Sequence, residues 1–166
     1  MLTVLECMTE SPYTLGPDNT LSDARNSMRE HNIRHIPIVD DNAELVGIVS
    51  QRDVLAAGDS SLVNDEQNQG ECDKRIALSA IMTTSIQTAE ENADLRATAI
   101  RLQRNKLGCL PVVSNDKLVG IITDSDFVSI AINLMEQLEM VEPNEYEDDD
   151  LDRELDDAMG LDYDDL

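Results

Sequence analysis

Two short steps hold the residues whose types and spacing can do chemistry. Residues 47–53 read GIVSQRD and residues 120–126 read GIITDSD. In each, apolar β-branched residues run into a hydroxyl, and an acid follows three positions later: Ser50 with Asp53, Thr123 with Asp126. That spacing suits a helix start, with the hydroxyl at the N-cap and the acid reaching back over the first turn. The cap needs no ligand, and its hydroxyl is worth about 1 kcal/mol. The same geometry suits an anion. A helix N-terminus offers unpaired N–H groups and partial positive charge to a phosphate. The hydroxyl can donate to a phosphate oxygen, and a carboxylate can accept from both hydroxyls of a ribose. The two readings use the same atoms, so neither excludes the other. Arg52 adds a cation inside the first step, and Arg34 and His35 stand before Ile36-Pro37, where a strand begins.

These residues are positioned by a chain written twice. Met8 and Met82, Thr14 and Thr88, Leu21 and Leu95, and Pro37 and Pro111 are separated by 74. After a one-residue deletion the offset is 73, for Gly47 and Gly120 and for Asp53 and Asp126. Each copy reads as a short strand (12–15, 86–88) and a helix (20–31, 94–105) with Leu21, Ala24 and Met28, or Leu95, Ala99 and Leu102, along one face. Two apolar strands joined by a polar turn follow (35–39 and 45–49; 109–113 and 118–122), then a second helix from near 51 or 124. The order is β-α-β-β-α, twice. The expected organisation is repeat 1 at 2–57, a polar linker at 58–75, repeat 2 with a long final helix at 76–138, and an acidic tail at 139–166. One repeat has too little core to stand comfortably, whereas two could share one.

Composition narrows the function classes. The chain has 166 residues, a formal charge of −23 and only 2% aromatics. That charge argues against a DNA or RNA backbone as partner, and the shortage of rings argues against base-stacking platforms. Residues 139–166 hold 14 acids and one base, against 21 acids and 11 bases in 1–138. Cys7, Cys72 and Cys109 show neither disulfide nor zinc spacing and suit a reducing cytoplasm. No signal peptide and no membrane-spanning run is expected. No metal-spaced His pair, P-loop or Ser-His-Asp set is present in the sequence, so no catalytic residue is assigned.

The tandem unit, with h-P-h-h ahead of a hairpin and G-h-h-[ST]-x-x-D opening the last helix, resembles a pair of CBS domains, the regulatory repeats named after cystathionine β-synthase. The resemblance covers about residues 2 to 136. It implies an α/β (α+β) fold of two repeats with pseudo-two-fold symmetry and two clefts between them. Such clefts commonly take adenosyl ligands: AMP, ADP, ATP or S-adenosylmethionine. It also implies a homodimer that regulates another protein. With no other domain attached, the effector is expected to be a separate chain.

By the resemblance, Asp53 and Asp126 are the ribose acids. Ser50, Arg52 and Thr123 meet phosphates, with Arg34 and His35 at the lip of the second strand. The bland alternative for the last two is a solvent-facing arginine and a half-buried histidine. Their counterparts, Gly108 and Cys109, are uncharged, and the second step carries a further acid, Asp124. An extra carboxylate repels phosphate, so at most one cleft should bind a polyphosphate well. Thr14, Ile33, Ile36, Thr88 and Leu110 are candidates for the adenine floor, although core packing is the stronger expectation for each apolar one taken singly. The acidic tail reads as a solvated, disordered segment, or as a helix that folds on a protein partner through Leu151, Leu155, Ala158 and Met159. The leading expectation is a non-enzymatic, cytoplasmic, ligand-sensing regulatory module without a bound cofactor. The alternative is a structural or interaction protein with empty clefts that acts through its tail.

Overall fold

The computed structural model describes residues 2–60 and 72–141. Most of the linker and nearly all of the tail expectations lie outside the described residues. The chain divides into two compact units, residues 1–128 and 129–166.

In chain order the elements are β1 (Thr9–Glu10), α1 (Leu21–Glu30), β2 (His35–Val39), β3 (Leu45–Ser50), α2 (Gln51–Ser60), β4 (Ala89–Glu90), α3 (Leu95–Asn105), β5 (Cys109–Ser114), β6 (Lys117–Thr123) and α4 (Asp124–Val141), with 3-10 turns at Val4–Glu6 and Leu78–Ala80. The helices start where the sequence asks. Thr20 and Asp23 close a capping box, and Asp94 caps α3 by accepting from the Ala97 N–H. A left-handed residue follows each helix, Asn32 at φ 52° just past the His31 cap of α1 and Lys106 at φ 52° capping α3, 74 positions apart.

Each half builds one antiparallel hairpin: β2 on β3, and β5 on β6. The lead-in segment of each repeat then crosses to the other half. β1 pairs with β6, Thr9 opposite Ile121. The Val4 and Leu5 N–H groups donate to Ala93 and Glu91 carbonyls. In return, Thr83 exchanges both backbone hydrogen bonds with Ile48, and Leu21 and Leu78 donate to the carbonyls of Ile76 and Asn19. The exchange takes core residues with it. Leu78, from the second sequence copy, is fully buried in the first-half core with Leu21, Ala24, Met28, Ile36, Ile38, Val49 and Val54. It also brings Met82 against Gly47 and Met8 against Gly120, where a Cβ would collide with the methionine sulfur. The glycine of each GhhS/T step is therefore a packing requirement set by the opposite repeat.

Four local expectations change. The strand expected at 86–88 forms at Ala89–Glu90, parallel to β5. Its counterpart at 12–15 shrinks to a single bridge, Leu15 to Ile38; Pro12 and Pro17 lack the N–H groups a longer ladder needs. Ala99 is only half-buried and faces a cleft, while Thr98 takes the buried place beside Leu95 and Leu102. The polar stretch 58–75 is not wholly open either. α2 reaches Ser60, and Asp73 is 3% exposed and pairs with Arg25 at 3.0 Å. Within the second unit, Ile132, Leu134, Met135, Leu138 and Met140 of α4 are exposed.

Candidate functional site

The first sequence step folds as a full capping box, and in the second the acid reaches back to the hydroxyl residue in the same way. The Ser50 N–H and hydroxyl donate to Asp53 Oδ2 at 2.8 and 2.6 Å, and the Asp53 N–H donates to Ser50 Oγ at 3.2 Å. The Thr123 N–H and hydroxyl donate to Asp126 Oδ2 at 2.7 and 2.8 Å. Each helix start is tied to the lip of the hairpin's first strand. The Gln51 N–H donates to the Arg34 carbonyl at 2.8 Å, and the Asp124 N–H to the Gly108 carbonyl at 3.1 Å. Arg34 and Gly108 thus hold equivalent places in the two halves.

Each step opens on a cleft walled by both halves. The first, about 1220 Å³, brings together Ser50, Arg52, Asp53, Arg34 and His35. Its far wall comes from the second half: Thr83 of the exchanged segment and Ser85, Ile86 and Gln87 just after it, with Arg96 of α3, its cap Lys106 and the following Leu107. The second, about 240 Å³, holds Thr123, Ser125 and Asp126 with Tyr13, Ile33, Arg34 and His35.

The expected adenine floor is only partly there. Ile33 lines the second cleft, but Thr14, Ile36, Thr88 and Leu110 line neither. Ile36 and Leu110 are fully buried, because inside the hairpins both faces of the strand are covered. Two of the apolar residues that reach the clefts sit just before hairpin strands, at equivalent places: Ile33 and, 74 positions on, Leu107. The 74-residue offset that relates them is legible in the sequence. Arg96 and Lys106 were also missed, because only the segment exchange turns α3 toward the Ser50 helix start. Lys106 holds the left-handed φ at which glycine or asparagine is cheaper, so the fold sustains strain to end α3 on a cation at the cleft.

The electrostatics of the clefts differ. Arg34, Arg52, Arg96 and Lys106 line the first, with Asp53 and Asp124. The second has Arg34 as its only Lys or Arg among the described residues, beside Asp126. Asp124, expected to burden its own step, faces the first cleft instead. Arg34 answers it: the guanidinium reaches Asp124 Oδ1 at 3.3 Å and Ser125 Oγ at 2.8 Å. The His35 ring packs on Gly108, where an added Cβ would come within 2.7 Å of it. Burial holds the His35 pKa below the ordinary 6.5; Asp124 pulls it back up and Arg34 pushes it further down. The Cys109 pKa is driven up to about 12, by burial first and then by Asp124, which keeps it a protonated, unreactive thiol. The Tyr13 and His31 rings meet at a tilt of 33°, centroids 4.4 Å apart. Among the described residues no group of three His, Cys, Asp or Glu could hold a metal ion, and no helix is long and apolar enough to cross a membrane.

The CBS domain pattern matches residues 4–60 and 78–133. A CBS domain-containing protein of Dictyostelium discoideum is 31% identical over 136 residues, 80% of this chain and 93% of that one. The inosine-5′-monophosphate dehydrogenase of Mycobacterium tuberculosis is 36% identical over 123 residues, which is 73% of this chain but only 21% of the enzyme. Among solved structures, a Vibrio cholerae chain assigned to acetoin utilization superposes with TM-score 0.72 at 48% identity, covering 86% of this chain and 99% of that one. CBSX2 of Arabidopsis thaliana, solved in complex with AMP, superposes with TM-score 0.68 at 29% identity, covering 81% and 99%. The chain belongs to the CBS domain family, as a tandem pair. Such pairs are typically regulatory modules, and the dehydrogenase match falls on that part of the enzyme.

Proposed function

We propose that the chain is a non-catalytic sensor that binds an adenosyl nucleotide in its clefts and regulates a separate protein. One observation carries this reading: four cations line the cleft onto which Ser50 and Asp53 open side by side, on a chain of net charge −23. Random placement on so acidic a surface does not favour such a cluster, while a phosphate does. The AMP complex of CBSX2 supports the ligand class. Asp53 and Asp126 take ribose hydroxyls, Ser50, Arg52, Arg34 and His35 serve phosphate in the first cleft, and Thr123 serves the second. Ile33 and Leu107 are the apolar neighbours offered to the base. Ligand bridging the two halves favours whichever arrangement holds it better, and that is the signal. The exposed apolar residues of α4 support a homodimer or a protein effector at that helix. The unpaired Cys7, Cys72 and Cys109 support a cytoplasmic setting.

A thermal-shift panel with AMP, ADP, ATP and S-adenosylmethionine tests the reading. A specific ligand at one hundred times its Kd stabilises the fold by about 2.7 kcal/mol. A shift of several degrees with at least one compound is expected. No shift with any of them transfers the assignment to an interaction protein with empty clefts.

A further inference from the structure

Resting on the nucleotide reading, we infer that Arg34 is a single phosphate ligand shared by both clefts, so that phosphate held in the larger cleft withdraws it from the smaller one and the two sites are negatively coupled. Arg34 and His35 are the residues that line both clefts. They stand where the chain enters β2, and the matching place before β5 holds Gly108 and Cys109. The molecule has two sites related by pseudo-symmetry and one arginine between them.

The unliganded arginine has an internal partner. It is paired with Asp124 at 3.3 Å and Ser125 at 2.8 Å, and its side chain is 57% exposed, so it is held loosely enough to turn. The larger cleft has Arg52, Arg96 and Lys106 besides Arg34. The smaller has no other Lys or Arg among the described residues. A phosphate in the larger cleft draws Arg34 with help from three further cations, and it takes Arg34 from Asp124. The smaller cleft then keeps Asp126 with no fixed positive charge beside it. It remains suited to an adenosyl ligand without phosphate, since the ribose acid, Ile33 and Tyr13 are unaffected. Coupling between binding sites is reciprocal, so AMP placed first in the smaller cleft weakens phosphate binding in the larger by the same factor.

The test uses the full chain and isothermal titration. With the larger cleft filled by ATP, the affinity of the smaller cleft for AMP is expected to fall about tenfold, the scale of one charge-assisted hydrogen bond. Its affinity for adenosine is expected to stay unchanged. In Arg34→Gln, AMP binds the smaller cleft as weakly as adenosine, and filling the larger cleft makes no further difference. Asp124→Asn removes the charged one of Arg34's two internal partners and tightens AMP binding in the smaller cleft. Equal coupling for adenosine and AMP, or coupling that persists in Arg34→Gln, overturns the inference while the nucleotide reading stands. No adenosyl binding at all to the unaltered chain overturns both.

Discussion

Ser50 and Asp53 form one capping box, and two substitutions separate its structural from its ligand role. Ser50→Ala removes the oxygen that accepts from the Asp53 N–H at 3.2 Å and the hydroxyl that donates to Oδ2 at 2.6 Å. Loss of an N-cap hydroxyl costs about 1 kcal/mol, or roughly 2–4 °C in melting temperature at this chain length. Asp53→Asn keeps an amide oxygen to accept from the Ser50 N–H, now at 2.8 Å. It gives up only the charge at the helix N-terminus, about 0.3–1 kcal/mol. For stability, then, Ser50→Ala is the worse change. For binding the order reverses. A carboxylate that accepts from both ribose hydroxyls contributes about 1.5–3 kcal/mol through hydrogen bonds to a charged group, so Asp53→Asn is expected to weaken AMP roughly 10- to 150-fold. Ser50→Ala removes one neutral donor to phosphate and is expected to cost about tenfold or less. Thermal melts by circular dichroism give the first order, and isothermal titration with AMP gives the second. If both variants lose affinity in proportion to their loss of stability, Asp53 is a helix cap and nothing more, and the ribose assignment is refuted.

The exchange of lead-in segments predicts that Leu78→Ala, a change in the second sequence copy, destabilises the first-half core by about 2–5 kcal/mol; hydrogen exchange should accelerate in α1 and β2 before β5, and the opposite order would refute the shared core. Burial holds His35 below 6.5, with Asp124 and Asp53 opposing and Arg34 adding to the shift. The folded chain therefore binds fewer protons at this ring than the unfolded chain, and its contribution to stability falls as pH drops through 6.5 toward the lower folded value, then levels off. A phosphate beside the ring raises that value, so AMP binding should take up protons and tighten from pH 7 to pH 6. Titration in two buffers of different ionisation heat reads the uptake, and zero uptake refutes the contact. Lys106→Gly relieves a left-handed backbone and should raise stability by about 0.5–1 kcal/mol while weakening ATP more than adenosine; unchanged ATP affinity would remove Lys106 from the cleft.

Much of this molecule was legible in the sequence because the relevant forces are local. The hydroxyl-x-x-acid spacing fixes both helix starts through bonds within four residues, and Ser50–Asp53 and Thr123–Asp126 appear as written. Apolar runs flanking a polar turn fix both hairpins within a residue of their expected ends. The constant offset of 74, then 73, fixes the duplication. Placing an apolar residue at a floor or in a core is a different matter. Ile36 and Ile33 look alike in the sequence, yet the first is sealed inside the sheet and the second borders a cleft. Periodicity states that a residue is apolar and not which surface covers it.

What only the tertiary structure decided follows from one non-local event, the crossing of residues 2–11 and 76–83 to the opposite halves. It explains why Gly47 and Gly120 are glycines, since the methionine that fills each space arrives from about 35 positions downstream in one case and over 100 upstream in the other. It sets α3, with Arg96 and Lys106, across from Ser50 and so gives the first cleft two of its four cations. It also puts Asp124 and Arg34, 90 positions apart, within 3.3 Å of each other. The sequence by itself determined two helix starts suited to a phosphate. Only folding determined that they share an arginine, because charge acts through space while the chain records only order.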